Sequence, residues 1–176
     1  MGELSGKKIV MVVAPKDFRD EEYFQPKVML QAIGVEIVTA AKSDEEEATG
    51  VQGGKAKIDL NLKDIKTKDY EGIIFIGGQG AKVYFQDKII LKLAKEFFKA
   101  GKVVAAICIA PSILANADIL KGKRVTAFPS EEKNLIKHQA ILTNKPVEVD
   151  GTIVTAKNSE VALEFGQKLV EVLTSQ

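Results

Sequence analysis

The sequence predicts an α/β protein with a mostly parallel sheet and helices on both faces of that sheet. Short apolar segments alternate along the chain with longer amphipathic segments, the order expected of β-α-β units. Several apolar segments are uninterrupted, which is typical of strands buried on both faces of a parallel sheet. We expect one domain over residues 1–176, because this length suits a single well-buried core.

Apolar periodicity and turn residues assign the elements in chain order. The predicted strands are residues 9–14, 35–40, 72–76, 102–107, 122–128, 140–143 and the hairpin 146–156. The predicted helices are residues 23–33, 87–100, 111–115, 129–137 and 159–173. Residues 49–62 hold three glycines between short alternating segments, which indicates a small hairpin or an irregular excursion. In the later hairpin, Asp150-Gly151 is a favoured two-residue turn.

Composition and charge argue against several classes of function. The formal net charge is +1, which gives no electrostatic case for nucleic acid or an anionic membrane. No segment approaches the roughly 20 apolar residues of a membrane span, and no apolar signal segment opens the chain. One cysteine cannot form an internal disulfide, which suits a reducing compartment. We therefore expect a cytoplasmic protein without nucleic-acid or membrane partners.

Metal and cofactor sites are not expected either. One histidine and one cysteine cannot supply the protein ligands of a zinc site. The glycine-rich segment Gly77–Gly80 lacks the G-K-[ST] sequence that follows in a phosphate-binding loop. The sequence therefore predicts that any reaction depends on the side chains and backbone of the protein, without a metal or cofactor.

Cys108 is the strongest candidate for that chemistry, because it lies where a buried strand gives way to a helix. Pro111 suits the first helical turn, where a missing N–H costs nothing. A sharp strand-to-helix turn, or nucleophile elbow, exposes a side chain at the carboxyl edge of a sheet, and a helix N-terminus favours an anion. Ala106 and Ala110 leave space for such a turn. A lone cysteine is often a buried core residue, but this position favours a nucleophile.

Two further loops should converge on Cys108, since ligands of such sheets lie at the carboxyl ends of the strands. The loop Gly77–Gly80 offers bare backbone N–H groups, and we expect the amides of Gly78 and Ile109 to stabilise an oxyanion. A diglycine by itself is often only a turn. The loop after the first strand offers an acid, and spacing does not choose among its candidates. These are Asp17, Asp20, Glu21 and Glu22.

Five segments in this order carry a resemblance to a known family. They are residues 9–14, Asp20-Glu-Glu22 with Pro26 four residues on, residues 73–78, residues 105–111 and residues 149–155. Over essentially its whole length the chain resembles the ThiJ/PfpI superfamily, which includes the Parkinson's-disease protein deglycase and archaeal intracellular proteases. The resemblance implies a flavodoxin-like sandwich, a homodimer or higher homo-oligomer, and a strained backbone at the cysteine. It also implies that Glu22 is the acid that approaches Cys108.

The sequence departs from this family where a histidine would be. Protease-like members carry a histidine directly after the cysteine, and this chain has Ile109 there. Members closer to the Parkinson's-disease protein place one from the following strand, at the position of Phe128. The only histidine, His138, is expected at the surface near a helix C-terminus. A Cys–His dyad with a papain-like mechanism is therefore not expected.

Three functions are compatible with these residues. The leading hypothesis is a glyoxalase- or deglycase-like lyase or hydrolase that acts on reactive aldehydes or their adducts, with Cys108 as nucleophile and Glu22 as proton carrier. The alternative is a non-enzymatic redox sensor or stress chaperone in which Cys108 is oxidised to a sulfinic acid held by protonated Glu22. An intracellular peptidase or amidase is third, disfavoured by Ile109. The expected partner is a small carbonyl substrate or an oxidant.

Overall fold

The computed structural model describes residues 4–176, so residues 1–3 of the predicted domain lie outside the described part. In chain order the strands are β1 (Lys8–Val12), β2 (Lys16–Phe18), β3 (Glu36–Ala41), β4 (Glu47–Gly50), β5 (Lys55–Lys57), β6 (Leu60–Asn61), β7 (Gly72–Phe75), β8 (Val103–Ile107), β9 (Arg124–Val125), β10 (Ile141–Leu142), β11 (Val147–Asp150) and β12 (Ile153–Ala156). The helices are α1 (Asp20–Ala32), α2 (Lys88–Lys99), α3 (Pro111–Asn116), α4 (Glu132–Lys137) and α5 (Ala162–Thr174).

Seven strands form the central sheet in the order β11-β12-β8-β7-β1-β3-β6. Every neighbouring pair is parallel except the β11–β12 hairpin. The predicted α/β class and the mostly parallel sheet are therefore confirmed, as is the flavodoxin-like architecture. Within the described residues, no helix combines the length and the apolar character needed to cross a membrane.

Each face of the sheet has its own hydrophobic core because side chains alternate along the buried strands. On β1, Val10 and Val12 point into the core shared with α2 and α3, whereas Ile9 and Met11 point into the core shared with α5. Helices α1 and α5 pack against each other on that second face. All of β7 and β8 is buried. The sheet is thus a rigid support for the loops at its carboxyl edge.

Two predicted boundaries are wrong. Helix α1 begins at Asp20 instead of residue 23, and the preceding loop contains the short strand β2. The prediction from apolar periodicity missed the first turn because its three residues are acidic. Acidic side chains there are stabilised by the positive end of the helix dipole. The strand predicted over residues 122–128 is only β9, because the chain then turns to the elbow, where Phe128 N donates to the Cys108 carbonyl at 2.8 Å.

The strand order brings three loops to one place. Strand β1 pairs with β3 on one side and β7 on the other, which makes the carboxyl edge next to β1 the switch point of the sheet. Such a point is the usual ligand site of doubly wound folds. Because β1, β7 and β8 are neighbours, the loops that follow them meet there.

Candidate active site

The elbow at Cys108 is a strained backbone turn directly after β8. Its φ is +65°, in the left-handed region that costs a non-glycine residue free energy. Neighbouring segments hold it there: Cys108 N donates to Ala156 O at 2.9 Å, and Phe128 N donates to Cys108 O at 2.8 Å. Helix α3 has six residues, so individual N–H groups, and not a long helix dipole, face the sulfur.

Glu22 reaches the elbow from the first turn of α1 and is fully buried. Its Oε2 accepts a hydrogen bond from Gly77 N at 2.9 Å. Its other oxygen, Oε1, is buried without a hydrogen-bond partner among the described residues. A buried carboxyl oxygen without a partner is costly when charged. The acid expected from the resemblance therefore lies beside the cysteine, in surroundings that disfavour its charged form.

Burial and mutual contact perturb both groups. Burial raises the pKa of Glu22 to about 7, although hydrogen bonds with Cys108 and Gly77 N act to lower it. Burial also raises the pKa of the Cys108 thiol, and the carboxylate of Glu22 raises it further. The backbone N–H groups of Gly78 and Ile109 lower it. The two groups resist ionising together, so they titrate as a coupled pair.

The loop after β7 fits between the loop after β1 and the Cys108 elbow only because its first two residues are glycines. A Cβ on Gly77 would lie 2.6 Å from Glu22 Oε2 and 2.8 Å from Cys108 Cβ. Gly78 has φ +95°, and a Cβ there would lie 2.5 Å from the backbone N of Arg19. Arg19 N in turn donates to Gly77 O at 3.0 Å. The predicted convergence of the three loops is confirmed, and the amides predicted as oxyanion donors face the sulfur.

These groups open into a pocket of about 200 Å³. Its lining residues are Arg19, Glu22, Val51, Gly78, Gln79, Cys108, Ile109, Phe128, Asn158 and Ser159. Phe128 is at the wall, at the position where related proteins were expected to place a histidine. His138 is not at the pocket: it follows α4, and its Nδ1 lies 3.1 Å from Asp118 Oδ1.

The other acids of the first loop have different positions. Asp20 accepts backbone hydrogen bonds from Gln52 and Gly54, both at 2.8 Å, and so fixes the loop that carries Val51 to the pocket. Glu21 bonds Arg19 Nε at 2.9 Å. Asp17 is exposed.

Sequence reasoning missed four of the lining residues. They are Arg19, Val51, Asn158 and Ser159. One signal was available for Arg19, because it is one of only two arginines and directly precedes the acidic run. The remaining three come from segments that the fold brings to the pocket from far along the chain.

Comparison with known proteins gives the same family throughout. Residues 7–172 match the sequence model of the DJ-1/PfpI family. An uncharacterized protein of Methanocaldococcus jannaschii is 38% identical, over 97% of this chain and 84% of that one. A putative cysteine protease of Bacillus subtilis is 31% identical, over 95% and 98%. The crystal structure of a ThiJ/PfpI domain protein from Brachyspira murdochii is 31% identical with a TM-score of 0.94, over 97% and 99%. The resemblance predicted from sequence is confirmed.

Proposed function

The chain belongs to the DJ-1/PfpI family, which includes deglycases, proteases and chaperone-like members, and from this premise we propose that it is a cysteine-dependent enzyme acting on reactive aldehydes or their adducts. The observation that carries the proposal is the convergence of one buried carboxyl and two backbone N–H groups on Cys108. This set can supply a nucleophile, a proton carrier and oxyanion donors within one small pocket.

Hydrogen-bond donors decide which of the two groups holds the proton that they share. With the proton on Glu22, the thiolate accepts from Gly78 N, Ile109 N and the Glu22 carboxyl. With the proton on Cys108, the carboxylate accepts from Gly77 N through Oε2, while Oε1 has no hydrogen-bond partner among the described residues. More donors stabilise the first arrangement, and a protonated Glu22 no longer carries the negative charge that raises the pKa of the Cys108 thiol. The reactive form in this proposal is therefore a Cys108 thiolate beside a protonated Glu22.

The conversion of methylglyoxal to lactate needs water as its only co-substrate. The thiolate adds to the aldehyde carbon, and Glu22 gives its proton to the new oxyanion to complete a hemithioacetal. The Glu22 carboxylate then removes the proton from that carbon and returns it to the neighbouring carbonyl carbon, while the hydroxyl proton passes to the neighbouring oxygen. The neighbouring carbon is thereby reduced to an alcohol, and the first carbon becomes a thioester. Water hydrolyses the thioester to lactate and restores the thiol. Neither glutathione nor a metal enters these steps.

Lactate formation tests the proposal directly. We expect the wild-type chain to convert methylglyoxal to lactate and Cys108→Ala to fall to the background rate, because the covalent step is lost. Cys108→Ser is the matched control for folding, since it keeps the shape of the side chain with a weaker nucleophile. Wild-type turnover equal to that of Cys108→Ala contradicts the proposal.

A redox sensor or stress chaperone is the second candidate, and the free Oε1 of Glu22 favours it. A protonated Oε1 would donate to one oxygen of a Cys108 sulfinic acid. Sulfinic acid at Cys108 after mild peroxide, together with no lactate, would replace the enzyme proposal by this one. A peptidase lacks support from the site, because Ile109 and Phe128 occupy the positions where a histidine base was expected. A homo-oligomer and a cytoplasmic location stay predictions from the sequence.

A further inference from the structure

Arg19 is the one cationic side chain among the described residues that line the pocket. Its guanidinium lies at the rim, with its side chain 36% exposed. Nε donates to Glu21 Oε2 at 2.9 Å, and Nη2 donates to Glu21 Oε1 at 3.3 Å. Glu21 is itself fixed by Gln52, whose Nε2 donates to Oε1 at 3.0 Å. The guanidinium is thus held in one orientation before any ligand arrives.

The contact with Glu21 does not use all the donors of Arg19. A guanidinium carries five N–H groups in a planar fork, and Glu21 accepts from two of its nitrogens. Arg19 lines the pocket and Glu21 does not, so N–H groups of Arg19 that Glu21 leaves unused are available to a ligand. The hydrogen bond to Glu21 raises the pKa of Arg19, and the charges of Glu22 and Cys108 raise it further. Arg19 is therefore within electrostatic range of the reacting pair.

This arrangement pairs a fixed cation at the rim with a nucleophile at the base of the same pocket. Arg19 supplies the one positive charge of that lining among the described residues, so a carboxylate that enters the pocket has one favourable ionic partner. Planar, bidentate recognition of a carboxylate is the contact for which a guanidinium fork is best suited. We infer that Arg19 binds the carboxylate of short oxoaldehyde acids and orients their aldehyde carbon toward Cys108. This inference rests on the proposed function and names its substrate class.

One substrate of that class is 4,5-dioxopentanoate, a methylglyoxal extended by one carbon and a carboxylate. Its reaction with water would give 2-hydroxyglutarate: the aldehyde carbon is oxidised to a carboxyl group and the adjacent ketone carbon is reduced to an alcohol. The oxidation and the reduction occur within one molecule, so no external oxidant or reductant is needed. The distal carboxylate takes no part in the chemistry and serves only for binding to Arg19.

Alkylation of Cys108 tests the contact without any turnover. Iodoacetate and iodoacetamide both form a carbon–sulfur bond to the thiolate and release iodide, and they differ in a carboxylate. We expect the ratio of their rates, iodoacetate over iodoacetamide, to fall about 10-fold in Arg19→Gln, as for the loss of one charged hydrogen bond. The ratio cancels any change in the thiolate itself. An unchanged ratio in Arg19→Gln overturns the inference.

Arg124→Gln is the matched control, because Arg124 is the other arginine and is also paired with a carboxylate, at 3.7 Å from Asp150, but does not line the pocket. Its alkylation ratio should equal that of the wild type. A fall as large as in Arg19→Gln would assign the effect to net charge and would overturn the inference.

Turnover then separates this inference from the proposed function. In Arg19→Gln, kcat/KM for 4,5-dioxopentanoate should fall about 10-fold more than kcat/KM for methylglyoxal, and the additional loss should lie in KM. Equal losses on both substrates would show that Arg19 acts on Cys108 or Glu22 and would overturn the inference. If the wild-type chain turns over neither aldehyde, the proposed function fails, and the alkylation ratio alone decides whether Arg19 binds the carboxylate.

Discussion

One buried carboxyl group, Glu22, lies beside Cys108, and a second, Glu131, contacts the helix α3 that follows it; their surroundings differ. Glu131 accepts hydrogen bonds on both oxygens, from Ser112 Oγ at 2.8 Å and from Ser130 Oγ at 2.5 Å. Ser112 is held further by Asn134 Nδ2 at 3.1 Å. Glu22 is more deeply buried, yet only one of its oxygens has a hydrogen-bond partner among the described residues. A fully bonded carboxylate stabilises the fold, whereas an incompletely bonded one beside a thiol is poised to exchange a proton.

The largest expected difference between Glu22 and Glu131 is in their effect on catalysis. Glu22→Gln should lower kcat for methylglyoxal by about 100-fold or more, the range for loss of a proton carrier. Glu131→Gln should stay close to the wild-type rate, because Glu131 does not line the pocket. The measurement is lactate formation by all three proteins at one pH. Equal losses in the two variants would remove the distinction between a reactive and a structural carboxyl.

The next difference is in the pH dependence of stability. Burial raises the pKa of Glu22 from 4.5 to about 7, so the coupled pair of Glu22 and Cys108 binds its second proton more tightly in the folded state than in the unfolded state. The resulting stabilisation is complete below pH 4.5 and is lost as the pH rises through 7. The loss is about 3 kcal/mol, since one pKa unit is worth about 1.4 kcal/mol.

Chemical unfolding from pH 4.5 to pH 8 measures this effect against Glu22→Gln, whose amide does not titrate. The free energy of unfolding of the variant, minus that of the wild type, should increase by about 3 kcal/mol from pH 4.5 to pH 8. A difference between the two proteins that stays constant with pH would mean that Glu22 titrates in the folded protein as it does in the unfolded chain.

The smallest effect expected is the structural one at Glu131. Glu131→Ala should lower the free energy of unfolding by about 2 kcal/mol, because it leaves the fully buried Ser112 hydroxyl without its carboxylate acceptor. Glu132→Ala, at the adjacent half-buried position in the first turn of α4, should cost only a few tenths of a kcal/mol. Similar losses in both variants would place the effect in the helix end and not in the hydrogen bonds.

Local sequence signals were sufficient for the elbow and insufficient for the acid. A buried strand followed by Pro111 identifies the turn at Cys108, and the glycines after β7 identify their loop, because both signals are local. Glu22 followed only from the family resemblance, since the neighbouring acids carry the same local signal. The choice among them depends on which side of α1 faces Gly77 N, and that is a contact between residues 55 positions apart.

The buried network around Glu131 could not be predicted for the same reason. Its hydrogen bonds join Ser112 of α3 to Glu131, just before α4, and to Asn134 within α4, which lie 19 and 22 positions along the chain. Arg19 and Val51 were missed because the pocket is formed by loops whose approach depends on the strand order. Sequence periodicity identifies strands, but it does not specify which loops become neighbours.

The first turn of α1 assigns three successive acids to three different tasks. Asp20 fixes a loop at the pocket, Glu21 orients Arg19, and Glu22 reaches Cys108. Successive residues of a helix differ by about 100° in direction, so this division is a property of the rotational phase of the helix. A single-residue insertion between Glu22 and the buried Tyr23 would turn all three acids away from their partners at once. Substitutions at Arg19 and Glu21, in contrast, leave that phase intact, so the rim can change its preferred ligand while the acid keeps its place.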